Sequence, residues 1–340
     1  MNARAVRVGP VSFRFDPRVP ALIGTALAVL ALLAAWASTL GSFDLGLGDV
    51  VRVLAGGGTP EERFVVTGLR LPRILAAVLV GPLLALSGAI FQGLIRNPLV
   101  SPDVIGIQAG AACAAVWWIV SGGPSGLQPL AAFAGAAAAA AAVYLLSWRG
   151  RLAPARLVLV GIGVNSLLTA VTTLLVVRAR IWEAARAMVW MTGSINNVDW
   201  DDVRALVLAL LALLPLGTAL MGGLRVLQLG DDRALSLGIP VERLRLALIL
   251  VGCAASAAAV SVAGPVGFIA LAVPHLARML AGPMTAGVFA LTGVMGGILL
   301  LGADMVAQHL LPVSLPVGVV TGVVGAPYFL YLLLRSQVRL

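Results

Sequence analysis

The chain has 340 residues, 60% of them hydrophobic and 11% charged, and its mean hydropathy is +1.04. Soluble domains carry about 25% charged residues, so a soluble globular class is excluded and a helical protein crossing the membrane many times is expected. The net charge of +9 comes from 23 arginines and no lysine. Their scatter between apolar runs argues against a nucleic-acid-binding patch, and without lysine there is no P-loop to hold ATP phosphates.

In chain order, residues 1–18 read as a cytoplasmic tail carrying Arg4, Arg7, Arg14 and Arg18. The first apolar run, 19–40, contains Ala35-Trp36-Ala37, which mimics a signal-peptidase site. The run is longer than a signal h-region and more runs follow, so it reads as a retained first span. Further spans are expected over 72–95, 103–121, 127–148, 156–177, 203–222, 244–263, 266–281, 285–303 and 315–334. One ten-span domain, 19–334, thus accounts for nearly the whole chain, with a short tail at 335–340. The fourth span holds "AGAAAAAAAV", whose small side chains suit close helix packing. The eighth is interrupted by Pro274, His275 and Arg278.

Arginine placement sets the orientation. With both termini inside, 15 arginines fall inside and 8 outside, as the positive-inside rule expects. Two outer segments are long. Residues 41–70 and 178–202 each read as carrying a short surface helix, the second rich in Trp, Arg and Asp. One inner segment is long, 223–244, with Asp231 placed to cap a helix through Leu237 that Gly238 ends. It reads equally as a solvated connector or as a dock for a soluble partner. Between the second and third spans, "RNPLVSPDVIGIQAG" reads as an inner turn, with Pro102 and Asp103 starting the third span.

Chemistry-bearing groups are sparse. Only Asp304 among the acids falls near a span core, and with His275, Arg278 and His309 it exhausts the candidates for a proton relay. Each is a better structural polar group than relay. Neither His has a nucleophile partner at an assignable spacing, so a membrane hydrolase is not expected. Cys113 and Cys253 both lie in apolar runs and read as free thiols without metal spacing. Gln92, Asn97, Gln108, Asn165, Ser166, Thr169, Thr172 and Thr173 are neutral polar groups that either line a path or bond neighbouring helices.

"LRLPRILAAVLVGPLLALSGAIFQGLIRNPLVSPDVIGIQAGA" (69–111) resembles the FecCD/BtuC-type permeases, membrane subunits of ATP-driven importers for iron-siderophores, haem and cobalamin. "LQLGDDRALSLGIPVERLR" (227–245), "VAGPVGFIALAVPHLARMLAG" (262–282) and "GADMVAQHLLPVSLPVGVVTGVVGAPYFLYLLL" (302–334) follow in the family's order. The resemblance implies an all-α, ten-helix permease in the bacterial inner membrane. It implies a second permease around a shared path, two ATP-binding subunits, and an external binding protein. It also implies no cofactor on the chain itself, ATP being used by the partner. Arg70 and Arg73 match family arginines that dock the binding protein, with Arg178, Arg180 and Arg186 as further candidates. Leu229, Gly230, Asp231, Asp232, Ala234, Leu237 and Gly238 match the segment that couples to the ATPase. Asn97 and Leu99 match one gate of the path and Ala153 and Pro154 the other, where the family's small polar residues are replaced. Gln92 and Asn165 are candidate path residues.

The family's third docking arginine is Gln308 here, and its glutamate before Leu-Pro is Ser314, which departs from the cobalamin pattern. The resemblance is strongest to ferric-enterobactin permeases, which work as unlike pairs. It therefore favours a heterodimer over a homodimer and a ferric siderophore over haem or cobalamin. A stand-alone proton-coupled transporter is the alternative from another class.

Overall fold

The computed structural model describes residues 4–8, 11–15, 17–150, 152–310 and 313–337. Arg151 and Arg339, counted inside above, lie outside them, as does the rest of the tail from 338. Arg4–Val8 (β1) and Val11–Phe15 (β2) pair as an antiparallel hairpin, Arg4 opposite Phe15 and Val8 opposite Val11. Every later element among the described residues is helical. That follows from composition, because in hydrocarbon each backbone group must find its partner within its own segment.

The helices are α1 (Arg18–Thr39), α2 (Leu47–Leu54), α3 (Pro60–Arg63), α4 (Leu71–Ile95), α5 (Ile107–Val120), α6 (Gln128–Ser147) and α7 (Pro154–Arg178). They continue with α8 (Ile181–Met191), α9 (Trp200–Leu227), α10 (Asp231–Ser236), α11 (Val241–Ala263), α12 (Ile269–Ala281), α13 (Ala286–Met305) and α14 (Val317–Gln337). Seven helical stretches are long and apolar enough to cross a membrane, and Ile107–Val120, Ile269–Ala281 and Val317–Tyr331 are shorter apolar helices. Together they match the ten expected spans in order. The surface helices expected in 41–70 and 178–202 are α2 and α8.

Several boundaries differ from expectation. A wide turn over Phe64–Arg70 joins α3 to α4, so the second span is one continuous helical stretch from Pro60 to Ile95, 36 residues. The inner segment is shorter than 223–244, because α9 runs to Leu227 and α11 starts at Val241. The helix of the third span, α5, starts at Ile107 rather than Asp103. Residues 101–106 instead form tight turns, with Val104 N–H on Ser101 O and Gly106 N–H on Asp103 O. Gly106 then enters α5 at φ +86, where its missing Cβ would stand 3.3 Å from the Asn165 nitrogen of α7. Glycine is the residue that adopts this backbone at low cost.

The α5 and α12 helices have 14 and 13 residues, about 20 Å at 1.5 Å per residue, less than the ~30 Å of bilayer hydrocarbon. Irregular backbone makes up their length. It survives because it is buried in protein, with Ile105 at 2% and Val266 at 0% exposure, the circumstance that tolerates such backbone at membrane depth.

The α4 helix is the axis of the bundle. Twenty of its 25 residues are buried, and α13, α11, α9 and α12 pack around it. Glycines let them close in: a Cβ on Gly81 would strike the Gly296 carbonyl of α13, and one on Gly88 the Ala270 carbonyl of α12. Gly110 of α5 and Gly135 of α6 meet backbone to backbone in the same way. The alanine-rich helix is therefore a close-packing surface, as small residues at membrane interfaces allow.

Candidate functional site

Ten crossings gather the polar groups into two belts at opposite ends of the bundle. The first belt surrounds α10. Gly230 (φ +113) and Gly238 (φ +77) flank this short helix. Asp231 does not cap it, correcting the expectation. The capping position is Gly230, and the Asp231 carboxylate instead accepts a 2.6 Å hydrogen bond from Arg245 Nη2. Ala234 is fully buried and faces the bundle, whereas Leu229, Leu235 and Leu237 are 55%, 59% and 64% exposed beside the exposed Asp232 and Arg233. Leu235 was not singled out from sequence. Only the short helix's one buried position, Ala234, shows that Leu235 must face away. An apolar knob at a polar end of a membrane bundle fits a protein partner.

Both gate candidates lie beside this belt. Asn97 is exposed and turns its Oδ1 onto the Leu99 N–H at 2.9 Å, a side-chain turn typical of Asn. Leu99 is half-buried. Ala153 and Pro154 are half-buried at the start of α7, where they line a small cavity with Leu94, Leu157 and Arg245. Arg96, which ends α4 in the left-handed region at φ +58, donates from Nη2 to Leu227 O at 2.6 Å and lies 3.5 Å from Asp231.

Between the belts, the polar candidates separate into two kinds. Gln92 is 3% exposed; its amide donates to Leu271 O and its Oε1 accepts from Arg278 Nη2. It bonds α4 to α12, and Gln108 likewise reaches Val266 O. Asn165, Ser166, Thr169 and Thr173 differ, lying on α7 half-buried or exposed, with Ser166 and Thr173 hydrogen-bonded back one turn. Thr172 is buried. A polar strip on the outer face of an apolar helix has no use facing lipid. The relay candidates do not form a chain: Asp304 and His309 lie at one end, Arg278 and His275 toward the other. His275 packs edge-on against Tyr328 at 6.4 Å. Cys113 and Cys253 are free thiols.

The second belt holds Arg70 and Arg73. Arg70 donates to Ser38 O at 2.7 Å and Phe43 O at 2.6 Å, pinning the end of α1 and the following loop. Arg73 makes a two-pronged pair with Asp304, Nε to Oδ2 at 2.9 Å and Nη2 to Oδ1 at 2.7 Å. Gln308 donates to Leu315 O and Asn196 Oδ1, closing the loop in which Ser314 is exposed. Arg178, Arg180 and Arg186, around α8, are exposed and their guanidinium groups bond nothing among the described residues, beside Ile181 and Trp182 at 79% and 81% exposure.

The Arg73–Asp304 geometry predicts a stability effect. Arg73→Ala leaves a carboxylate only 8% exposed without its partner, and breaking such a pair costs about 3 kcal/mol. The double variant Arg73→Ala/Asp304→Ala should recover most of that in detergent melts. A loss in the double variant equal to the sum of the two single losses would show that the pair contributes nothing.

A bundle of ten apolar spans with an apolar knob at one end, a polar strip on one helix and exposed arginines at the other end defines a multi-pass membrane transport subunit. The chain belongs to the FecCD transport family, whose model matches residues 26–335. It is 41% identical over 317 residues to the achromobactin transport system permease protein CbrC of Dickeya dadantii, covering 92% of this chain and 91% of that one. It is 39% identical over 320 residues to the ferric enterobactin transport system permease protein FepG of Escherichia coli, covering 93% and 97%. Among solved structures, a metal-chelate type ABC transporter in an inward-facing conformation superposes with a TM-score of 0.83 at 26% identity, covering 93% of this chain and 99% of that one. The protein is therefore an ABC-importer permease of the inner membrane. It is a transport subunit that works with ATPase and binding-protein partners, not an enzyme in its own right.

Proposed function

We propose that the chain is one permease of a heterodimeric importer for ferric siderophores, with two ATP-binding subunits seated against α10 and a binding protein at the opposite end. The observation that carries this reading is the exposed leucine knob of α10, which is built for a soluble partner at the arginine-rich end. The names of the relatives supply the substrate class. Both termini and α10 face the cytoplasm, in keeping with the inner excess of arginine. The chelate passes along the Asn165–Thr173 strip of α7, which the second permease faces. The 97–99 turn and the 153–154 connector gate the inner end. The chain needs no cofactor of its own. The binding protein docks on Arg178, Arg180 and Arg186, which are uncommitted, and on the edge of the second span whose shape Arg70 and Arg73 hold through their bonds within the chain.

Reconstitution of the full complex in liposomes tests this. ATP hydrolysis should rise with binding protein loaded with a ferric siderophore and not with haem or cobalamin. Uptake driven by a proton gradient, with the ATPase absent, would overturn it.

Leu99→Glu is expected to raise basal ATP hydrolysis or substrate leak by about tenfold, within the range of coupling between linked sites, at an unchanged melting temperature. The residue is half-buried and lies outside the core, so an altered melt with normal leak would make the stretch a structural turn only.

A further inference from the structure

The α10 helix is joined to the bundle more by side chains than by its backbone. It has one buried residue, Ala234, and a glycine at each end whose Cβ position meets nothing within 4 Å. A push on such an element would be absorbed at the glycines unless something ties it down. Arg245, in the second turn of α11 and 4% exposed, is that tie. Its Nη2 donates to Asp231 Oδ1 at 2.6 Å. Its Nη1 donates to the Leu152 carbonyl at 2.9 Å and to Glu242 Oε1 at 3.3 Å. Glu242 Oε2 in turn accepts the Leu152 N–H at 3.2 Å. Both backbone groups of Leu152 are thus held by one turn of α11, immediately before Ala153 and Pro154. Asp231 also faces Arg96, the residue before Asn97. Two cations and two anions therefore join α10, the α6–α7 connector and the α4–α5 turn.

We infer that Arg245 is the positioning residue that carries motion of α10 to the 152–154 connector, with Asp231 its handle on α10 and Arg96 the branch to the 96–99 turn. This rests on the reading of α10 as the ATPase dock. The planar guanidinium suits the task because its fixed fork holds a carboxylate and a carbonyl at once, which a lysine point charge does not. Nothing in the sequence joined these residues: Arg245 read as one more inner arginine.

The test is chelate imported per ATP hydrolysed by the complete complex in liposomes. Arg245→Gln should assemble with the ATPase and hydrolyse ATP, but import per ATP should fall by about tenfold, the size of a typical coupling. Arg245→Lys should recover part of that ratio. Asp231→Asn, at a side chain 40% exposed, should lower it in the same direction without a folding defect. Spin labels on α10 and on the connector should keep a constant separation through the nucleotide cycle in wild type and separate in Arg245→Gln. Wild-type import per ATP in assembled Arg245→Gln and Asp231→Asn complexes would overturn the inference. So would an Arg245→Gln complex that fails to assemble while Asp231→Asn keeps the wild-type ratio, since Arg245 would then be a folding residue only. A wild-type complex that shows no ATP-driven import would instead sink the reading of the whole chain, and this one with it.

Discussion

Leu235→Asp, alone or with Leu237→Asp, is expected to abolish ATP-driven transport while the bundle stays folded. The two leucines are 59% and 64% exposed and lie outside the hydrophobic core, so a charge there costs the isolated chain little. In the docked complex the same charge would be desolvated without a partner. Central apolar anchors of an interface lose about 2 kcal/mol or more when truncated, and a buried, unpaired carboxylate is worse. The measurement is co-purification of the permease with its ATPase, beside a detergent melt of the permease alone. Loss of co-purification at an unchanged melt is the expected result. Full co-purification would remove α10 as the dock. Ala234→Asp is the contrasting variant: that side chain is fully buried, so it should lower the melt itself.

The second large effect belongs to Gly88→Val. The added Cβ would strike the Ala270 carbonyl. Neither helix can yield easily, because Gln92 and Ser87 of α4 already bond Leu271 O and Gly252 O on the helices beside it. Overpacking ordinarily costs about 1–3 kcal/mol, and here the clash is with backbone rather than a flexible side chain, so the upper end or beyond is expected. Little monodisperse protein should survive size-exclusion chromatography in detergent. Gly24→Ala on α1 is the control. Its Cβ meets nothing within 4 Å, so it should be neutral or slightly stabilising through helix propensity. A normal melt for Gly88→Val would mean that α4 and α12 are not in contact.

The ten spans were legible because a bilayer imposes a length and a composition on each of them. Their burial was not. The helices around α4 and α1 have similar mean hydropathies, 2.4 and 2.2, yet the strongest apolar window is 89% buried in one and 6% in the other. A helix facing lipid and a helix facing protein are both apolar all round, so the periodicity that separates faces in water is missing. The glycines at 81 and 88 were the only local trace of the crossing, and a glycine in a membrane helix has too many other uses to be read alone. The same difficulty hid the short length of α5 and α12: the residues before each helix are largely apolar too, and only the left-handed backbone at Gly106 and Phe268 shows where helix begins.

The functional residues divide in the same way. The α10 segment was recognisable from "LGDDRALSLGIP", since its glycines and acids stand out against hydrocarbon. Arg70 and Arg73 were visible as charges at a span edge, but their bonds to Ser38, Phe43 and Asp304 cross up to 231 positions of chain, and no local pattern encodes such a pairing. Sequence by itself determined the class, the number of the crossings, and the absence of a phosphate-binding lysine, because these depend only on transfer free energies and side-chain chemistry summed along the chain. Tertiary structure alone decided which helix is the axis, which arginines are already spent, and that Asp231, Arg245 and Leu152 form one tether. Those outcomes depend on which side chains meet across distant helices, and hydrophobicity, being non-directional, cannot specify that.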